Sequence, residues 1–461
     1  MLYILNLILS KIKTLVLFLS AIMFCFCSCN RGAGSLNSET DGEPVTIKFW
    51  INPWVITPPG HNASVPVTNS DYPEWIAKRF MLKYPEVKIE CSIVSNRELK
   101  QKISAAIAAG NQPDIFKYYD LKFVKAGILE PVDDYFSEED KSDFIKQCYE
   151  FGEYNGKHYL FPWHYGTNGM GASMLLYKER FVEAGIDVDK IIRNGWTMNE
   201  FLEIAKKLTN HSADNSDKKY AIAFSAKDEL NILAFIYNFG GRLFNENEDK
   251  IILNSKETAA ALHFLKSLAD KHKVCAPGAE AMDFYDIVSL FHNHKTAICF
   301  GGPYEIGRIK RNFVEGKVKE TFTPAIAPFP AIEGIKPSAH TTTGGFIVFK
   351  QKNKIKKKYV MEFAKFLVSK DNIRSLETIN YITSRKSVNA ILFQNNPIEP
   401  EVKTYSDILE KHGTSLTGSE KIKYSELKKY IIALFESVFH GAKSVEESLN
   451  EFDNNVKNID F

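Results

Sequence analysis

Val45 to Trp50 alternates apolar and polar residues (VTIKFW), the period of a half-buried strand, and Asn52-Pro53-Trp54 interrupts it. Asp71 to Tyr84 carries Trp75, Ile76, Phe80 and Leu82 at helical spacing, and Pro85 separates this helix from a second strand over Val87 to Val94. Glu98 to Ala109 predicts a further helix closed at Gly110, and Asp114 to Tyr119 a third strand. Alternating strands and helices predict an α/β fold with a parallel sheet and right-handed crossovers, in which ligands meet the carboxyl ends of the strands. The residues just past those ends are therefore binding candidates: Asn52, Trp54, Tyr118, Tyr119 and Asp120.

The pattern then breaks. Tyr154 to Tyr177 joins an Asn155-Gly156 turn to the rings of Tyr159, Phe161, Trp163 and Tyr165, then to Gly166, Gly169 and Gly171, ahead of an apolar strand from Ala172. Rings beside glycines suit a crossing between two lobes that also presents flat apolar surface to a ligand. A second lobe follows. Thr197 is placed to cap a helix over Met198 to Leu208, Tyr220 to Phe224 reads as a strand, and Asp228 to Phe239 and Ser255 to His272 read as helices. Thr296 to Phe300 is a short buried strand running into Gly301-Gly302-Pro303-Tyr304-Glu305; Phe322 to Phe329 and Gly345 to Phe349 are strands again. Lys354 to Ser369, Lys421 to His440 and Val445 to Val456 complete the helices.

The 461 residues, 44% hydrophobic and 13% aromatic, are enough for two packed domains. Ahead of the folded part, Lys11 and Lys13 precede an apolar run, Thr14 to Phe26, that is too short to span a bilayer. This predicts an export signal over residues 1–28, and Phe26-Cys27-Ser28-Cys29 resembles a bacterial lipobox with Cys29 as the lipidated residue. Residues 29–44, rich in Gly, Ser and acid, then form a tether. The expected location is the cell envelope, lipid-anchored and facing the periplasm or the exterior. Past Lys13 there remain 56 basic and 56 acidic residues, a balance that gives no counterion-release drive toward nucleic acid. Cys91, Cys148, Cys275 and Cys299 fit no zinc spacing, His292-x-His294 lacks a metal-site context, and no motif calls for a cofactor.

From Val45 onward the chain resembles the bacterial extracellular solute-binding proteins of carbohydrate-type ABC importers, the group that includes maltose-binding protein. The resemblance rests on ordered motifs: Pro113-Asp114-Ile115; Lys125-Ala126-Gly127-Ile128-Leu129-Glu130-Pro131; Tyr154-Asn155-Gly156-Lys157; Ala184-Gly185-Ile186; Trp196-Thr197; Gly302-Pro303-Tyr304; Gly344-Gly345-Phe346; and Gly441 to Leu449. It implies a two-lobed periplasmic-binding-protein fold with the solute between lobes joined by crossing strands. Lobe one would hold 45–158 and 322–370, and lobe two 159–321 and 371–461. It implies no enzyme, a sugar or small oligosaccharide as solute, permease subunits of the importer as partners, a membrane reached through the lipid, and a monomer.

A pyranose presents apolar C–H faces and a rim of hydroxyls, so rings and polar groups should share the site. Carried over from the family, the candidates are Asn52, Trp54, Tyr118, Tyr119, Asp120, Trp163, Tyr165, Asn168 and Tyr304, with Gly344 and Gly345 admitting backbone amides. Asp120 leads, because a carboxylate at the end of a strand has few structural reasons to stand there. The long segment Val55 to Tyr72 would cover the cleft, and five Trp in the whole chain favour a small-sugar or tyrosine-lined site. A glycosidase using Asp120 and Glu305 would need a defined carboxyl separation. A non-carbohydrate solute such as a peptide or glycerophosphodiester is the alternative within the fold, and a phosphate would call on Arg385.

Overall fold

A computed structural model of the chain describes residues 44–461 apart from 63, 167–168, 211–217, 393, 395–398, 418–420, 458 and 460–461. Cys29, the expected lipid site, and Asn168 lie outside the described residues. The strands, in chain order, are β1 (Val45–Ile51), β2 (Val87–Ile93), β3 (Ile115–Phe116), β4 (Glu153–Tyr154), β5 (Lys157–His158), β6 (Phe161–Tyr165), β7 (Met174–Leu176), β8 (Ile298–Phe300), β9 (Ala325–Ala327), β10 (Ala339–His340), β11 (Thr343–Val348), β12 (Ile382–Thr383) and β13 (Gly413–Thr414).

Six strands form the larger sheet in the order β12-β6-β11-β3-β1-β2. β1 pairs in parallel with β2 and β3, as the strand and helix alternation predicts, and β11 then joins antiparallel to β3 and β6. Ile47, Phe49 and Ile51 point from one face of β1 into the core, where Phe49 meets Phe363 of the helix Lys354–Leu367 edge-on at 5.3 Å. That helix starts within a lysine-rich run, Lys350 to Lys358, and two of its lysines tie it down: Lys356 pairs with Asp114 at 2.9 Å and Lys357 with Glu130 at 2.7 Å. The smaller sheet is β8-β7-β9, antiparallel throughout, and single bridges at Tyr220–Thr296 and Ile222–Cys275 extend it. Helix Glu229–Asn238, buried along most of its length, and helix Met198–Leu208 pack around it, the latter opened by a capping box between Thr197 and Glu200.

Three expected assignments differ. Phe161 to Tyr165 and Ile382 to Thr383 pair inside the larger sheet although the sequence placed both in lobe two, and Ala325 to Ala327 pairs with β7 although the sequence placed it in lobe one. The chain therefore passes between the sheets from β6 to β7, from β9 to β11, and again after β12, where helix Glu399–His412 returns to pack on β9. The first passage is tight: a Cβ at Gly169, which has φ +90°, would stand 1.9 Å from the carbonyl carbon of Gly301. Several expected strands are shorter than predicted, among them Phe322 to Phe329, of which Ala325–Ala327 pairs. Only Ile115 and Phe116 pair of the run from Asp114 to Tyr119, and Tyr220 to Phe224 contributes only bridges. The Gly301-Gly302 turn leads into an unforeseen helix, Pro303–Val314, with proline at its first turn.

Cys91, Cys148, Cys275 and Cys299 are free thiols. No helix among the described residues is long and apolar enough to cross a membrane.

Candidate functional site

Two adjoining cavities of 490 and 530 Å³ share Asn52, Asn96 and Lys117. These three residues follow β1, β2 and β3, so the cavities open at the carboxyl ends of the parallel strands. Tyr118, Tyr119, His164, Gly344 and Gly345 continue the wall in the larger sheet, while Tyr304 and Arg308 of the helix Pro303–Val314 and Tyr285 of the helix Phe284–His292 face it from the other lobe. The site is an interlobe cleft.

Its apolar side is a group of rings. Trp54 lies 4.9 Å from Tyr381 and 6.3 Å from Tyr304, and those two tyrosines are 5.5 Å apart, centroid to centroid. Trp163 supports Trp54 from beneath at 5.4 Å and stacks on Tyr72 at 6.0 Å, with 0% of its own surface exposed. Across the rings stands Lys117, whose Nζ is 4.2 Å from the centre of Trp54. Burial pushes this ammonium down to about 7.

Two buried acceptors lie behind the cleft wall. Asn52 donates through Nδ2 to Asn96 at 2.6 Å, which leaves its buried Oδ1 without a partner. His164 Nδ1 lies 3.2 Å from the Gly166 carbonyl; an oxygen of that kind only accepts, so Nδ1 carries the proton and the unpartnered Nε2 is a lone pair. Burial, reinforced by the Lys117 charge, holds His164 well below its ordinary range and keeps the ring neutral. Gly344 is required here, because a Cβ would stand 2.0 Å from His164 Nε2.

The sequence candidates thus divide. Asn52, Trp54, Tyr118, Tyr119, Tyr304, Gly344 and Gly345 come together on the cleft walls. Trp163 is a buried support, and Tyr165 lines a neighbouring cavity of 260 Å³ with Thr341 and Thr414. Asp120 lines neither cleft cavity. It caps the short helix Leu121–Lys125, accepting from the Lys122 amide at 3.1 Å and pairing with the Lys122 ammonium at 3.2 Å, which is the structural reason the sequence argument lacked. Glu305 is 0% exposed; burial would raise its carboxyl, but His292 and Arg308 hold it lowered, with Arg308 donating to both oxygens at 2.9 and 3.1 Å. Among the described residues of Val55 to Tyr72 none lines the cleft, which this segment was expected to cover: Ile56 is buried, and the Thr57 amide donates to Thr378 at 3.1 Å. Arg385 is equally remote, 2% exposed and clamped between Asp140 at 2.9 Å and Asp143 at 3.2 Å.

Lys117, Asn96, Arg97, His164, Tyr285 and Tyr381 were not foreseen. Position after a predicted parallel strand could have pointed to Asn96 and Lys117; nothing local marks Tyr285 or Tyr381. Arg97 and Asp283 pair across the cleft mouth at 3.3 Å.

Residues 62–373 match the sequence profile described as "Bacterial extracellular solute-binding protein". The chain is 28% identical over 238 residues to a maltotriose-binding protein of Pyrococcus abyssi; the match covers 51% of this chain and 47% of that protein, about half the relative's length. Among solved structures it resembles the GacH receptor of Streptomyces glaucescens, determined unliganded and with acarbose, with TM-score 0.70, 19% identity, and 89% and 97% of the two chains covered. An ABC substrate-binding protein of Listeria monocytogenes in complex with cycloalternan gives TM-score 0.72, 19% identity, and coverage of 90% and 98%. At these identities the likenesses carry the two-lobed fold.

Proposed function

The chain belongs to the bacterial extracellular solute-binding protein family, and from that premise we propose that it captures a sugar or small oligosaccharide between its lobes and delivers it to the permease subunits of an ABC importer. One observation carries the proposal: the rings of Trp54, Tyr304 and Tyr381 and the polar side chains of Asn52, Asn96, Lys117 and Arg308 line one cleft between the lobes. The rings suit the C–H faces of a pyranose, and the amide and cationic groups suit its rim of hydroxyls.

Asn52, Trp54, Tyr118, Tyr119, Tyr304, Gly344 and Gly345 are the binding residues of this reading. Capture without turnover fits it too, since Asp120 is committed to a helix cap and Glu305 to Arg308. Closing and opening of the lobes about the three passages would present the loaded form to the permease. Lipid on Cys29 and the tether behind it would hold the protein, as a monomer, at the outer side of a membrane.

Thermal melting of the full chain against neutral and charged mono- and oligosaccharides tests the reading. A bound sugar at a hundredfold excess over its dissociation constant adds about 2.7 kcal/mol and raises Tm. A panel that shifts nothing, or a glycoside that is hydrolysed, sinks the proposal.

A further inference from the structure

We infer that the carbohydrate held in this cleft is anionic, bearing a carboxylate or a phosphate ester, and that Lys117 receives the charge. The inference rests on the sugar-binding reading above and adds the sign of the guest. Over the whole chain, 58 basic residues face 56 acidic ones. The cleft does not share that balance: Arg97, Lys100, Lys117 and Arg308 line its two cavities, and among the described residues no Asp or Glu does.

Two of the four cations are already answered, Arg308 by Glu305 at 2.9 Å and Arg97 by Asp283 at 3.3 Å. Lys117 is not. Among the described residues no carboxylate pairs with it, and its Nζ rests over Trp54 at 4.2 Å and near Trp163 at 5.9 Å. Ring faces offset part of the lost hydration of an ammonium but supply no anion. A lysine kept for packing alone would extend its charged end into water or onto a carboxylate. Here the residue lines both cavities where they adjoin, and among the described residues neither lining offers it a carboxylate. A guest anion in the cleft would answer its charge, with Lys100 exposed on the same wall to add to the field. The partial loss of its proton near neutral pH agrees, since a guest anion would restore it.

The test titrates the full chain in detergent, by tryptophan fluorescence and calorimetry, with matched sets of mono- to tetrasaccharides. Each set holds a neutral sugar, its uronate and its phosphate ester, and inorganic phosphate is run alone. A charged member should bind about tenfold or more tighter than its neutral partner, and K117Q should bring the two within about twofold. Whether the uronate or the phosphate ester wins names the source of the charge. Neutral sugars binding as tightly as charged ones overturn the inference and leave the sugar-binding reading standing. A preference that survives K117Q, or inorganic phosphate binding as well as the esters, also overturns it. Binding of no member overturns both readings.

Discussion

Replacing Lys117 by methionine should make the unliganded protein more stable, although it removes a residue of the cleft. Folding carries the ammonium from water to a place over Trp54 where its pKa falls from 10.5 to about 7. At about 1.36 kcal/mol per pH unit this is a ceiling of roughly 5 kcal/mol, and because the side chain is only partly buried, screening reduces the expected effect to about 1–3 kcal/mol. The sign follows from proton counting. Between the folded value near 7 and the unfolded value of 10.5 the unfolded chain holds more protons, so wild-type stability rises with pH across that window; below 7 both states are protonated and the penalty is present in full. The groups facing Lys117 do not reverse this, since Trp54, Trp163 and Asn52 do not titrate there and His164 stays neutral. Urea unfolding of wild type and K117M at pH 6, 7, 8 and 9 reads both effects. The variant should be the more stable at pH 6, with the gap closing toward pH 9; a variant less stable at pH 6, or parallel pH profiles, refutes the reasoning.

Three further outcomes are expected. Arg385→Met strands Asp140 and Asp143 and the Val368 carbonyl, to which Arg385 Nε donates at 2.8 Å, so the denaturation midpoint should show a loss of about 3–5 kcal/mol; a loss under about 1 kcal/mol would show the clamp to be dispensable. Gly345→Ala would set a Cβ 2.2 Å from the Phe161 carbonyl at the irregular step of the β6–β11 pairing, which should lower stability by about 1–3 kcal/mol in the same assay. Trp54→Ala removes the ring shared by Tyr304, Tyr381 and Lys117, and sugar affinity should fall by about 2 kcal/mol or more in a calorimetric titration; unchanged affinity would place the sugar elsewhere.

Local chemistry made much of the fold legible. Alternation marks β1, a Thr197–Glu200 box opens its helix where the sequence put it, and Asn155 and Gly156, both at positive φ, make the turn between β4 and β5. What failed depended on distant partners. Whether Ala325 to Ala327 joins one sheet or the other is decided by β7, more than a hundred residues away, and alternation is blind to that choice. Asp120 misled for the opposite reason: an Asp ahead of Leu-Lys-Phe-Val is a helix cap by residue type, and its place after a strand outweighed that simpler signal. Lys117 stayed hidden because a lysine after a strand looks like any solvated cation until Trp54 and Trp163 are seen against its charged end.

The position of β11 in the larger sheet has a consequence for synthesis. It sits between β3 and β6, yet its residues begin at Thr343. A polypeptide leaving the ribosome therefore cannot seal this sheet until most of its length has emerged, and the edges of Phe116 and Phe161 wait unpaired meanwhile. Until that strand arrives the nascent chain stays open, because topology itself delays the knot of contacts that locks the larger sheet.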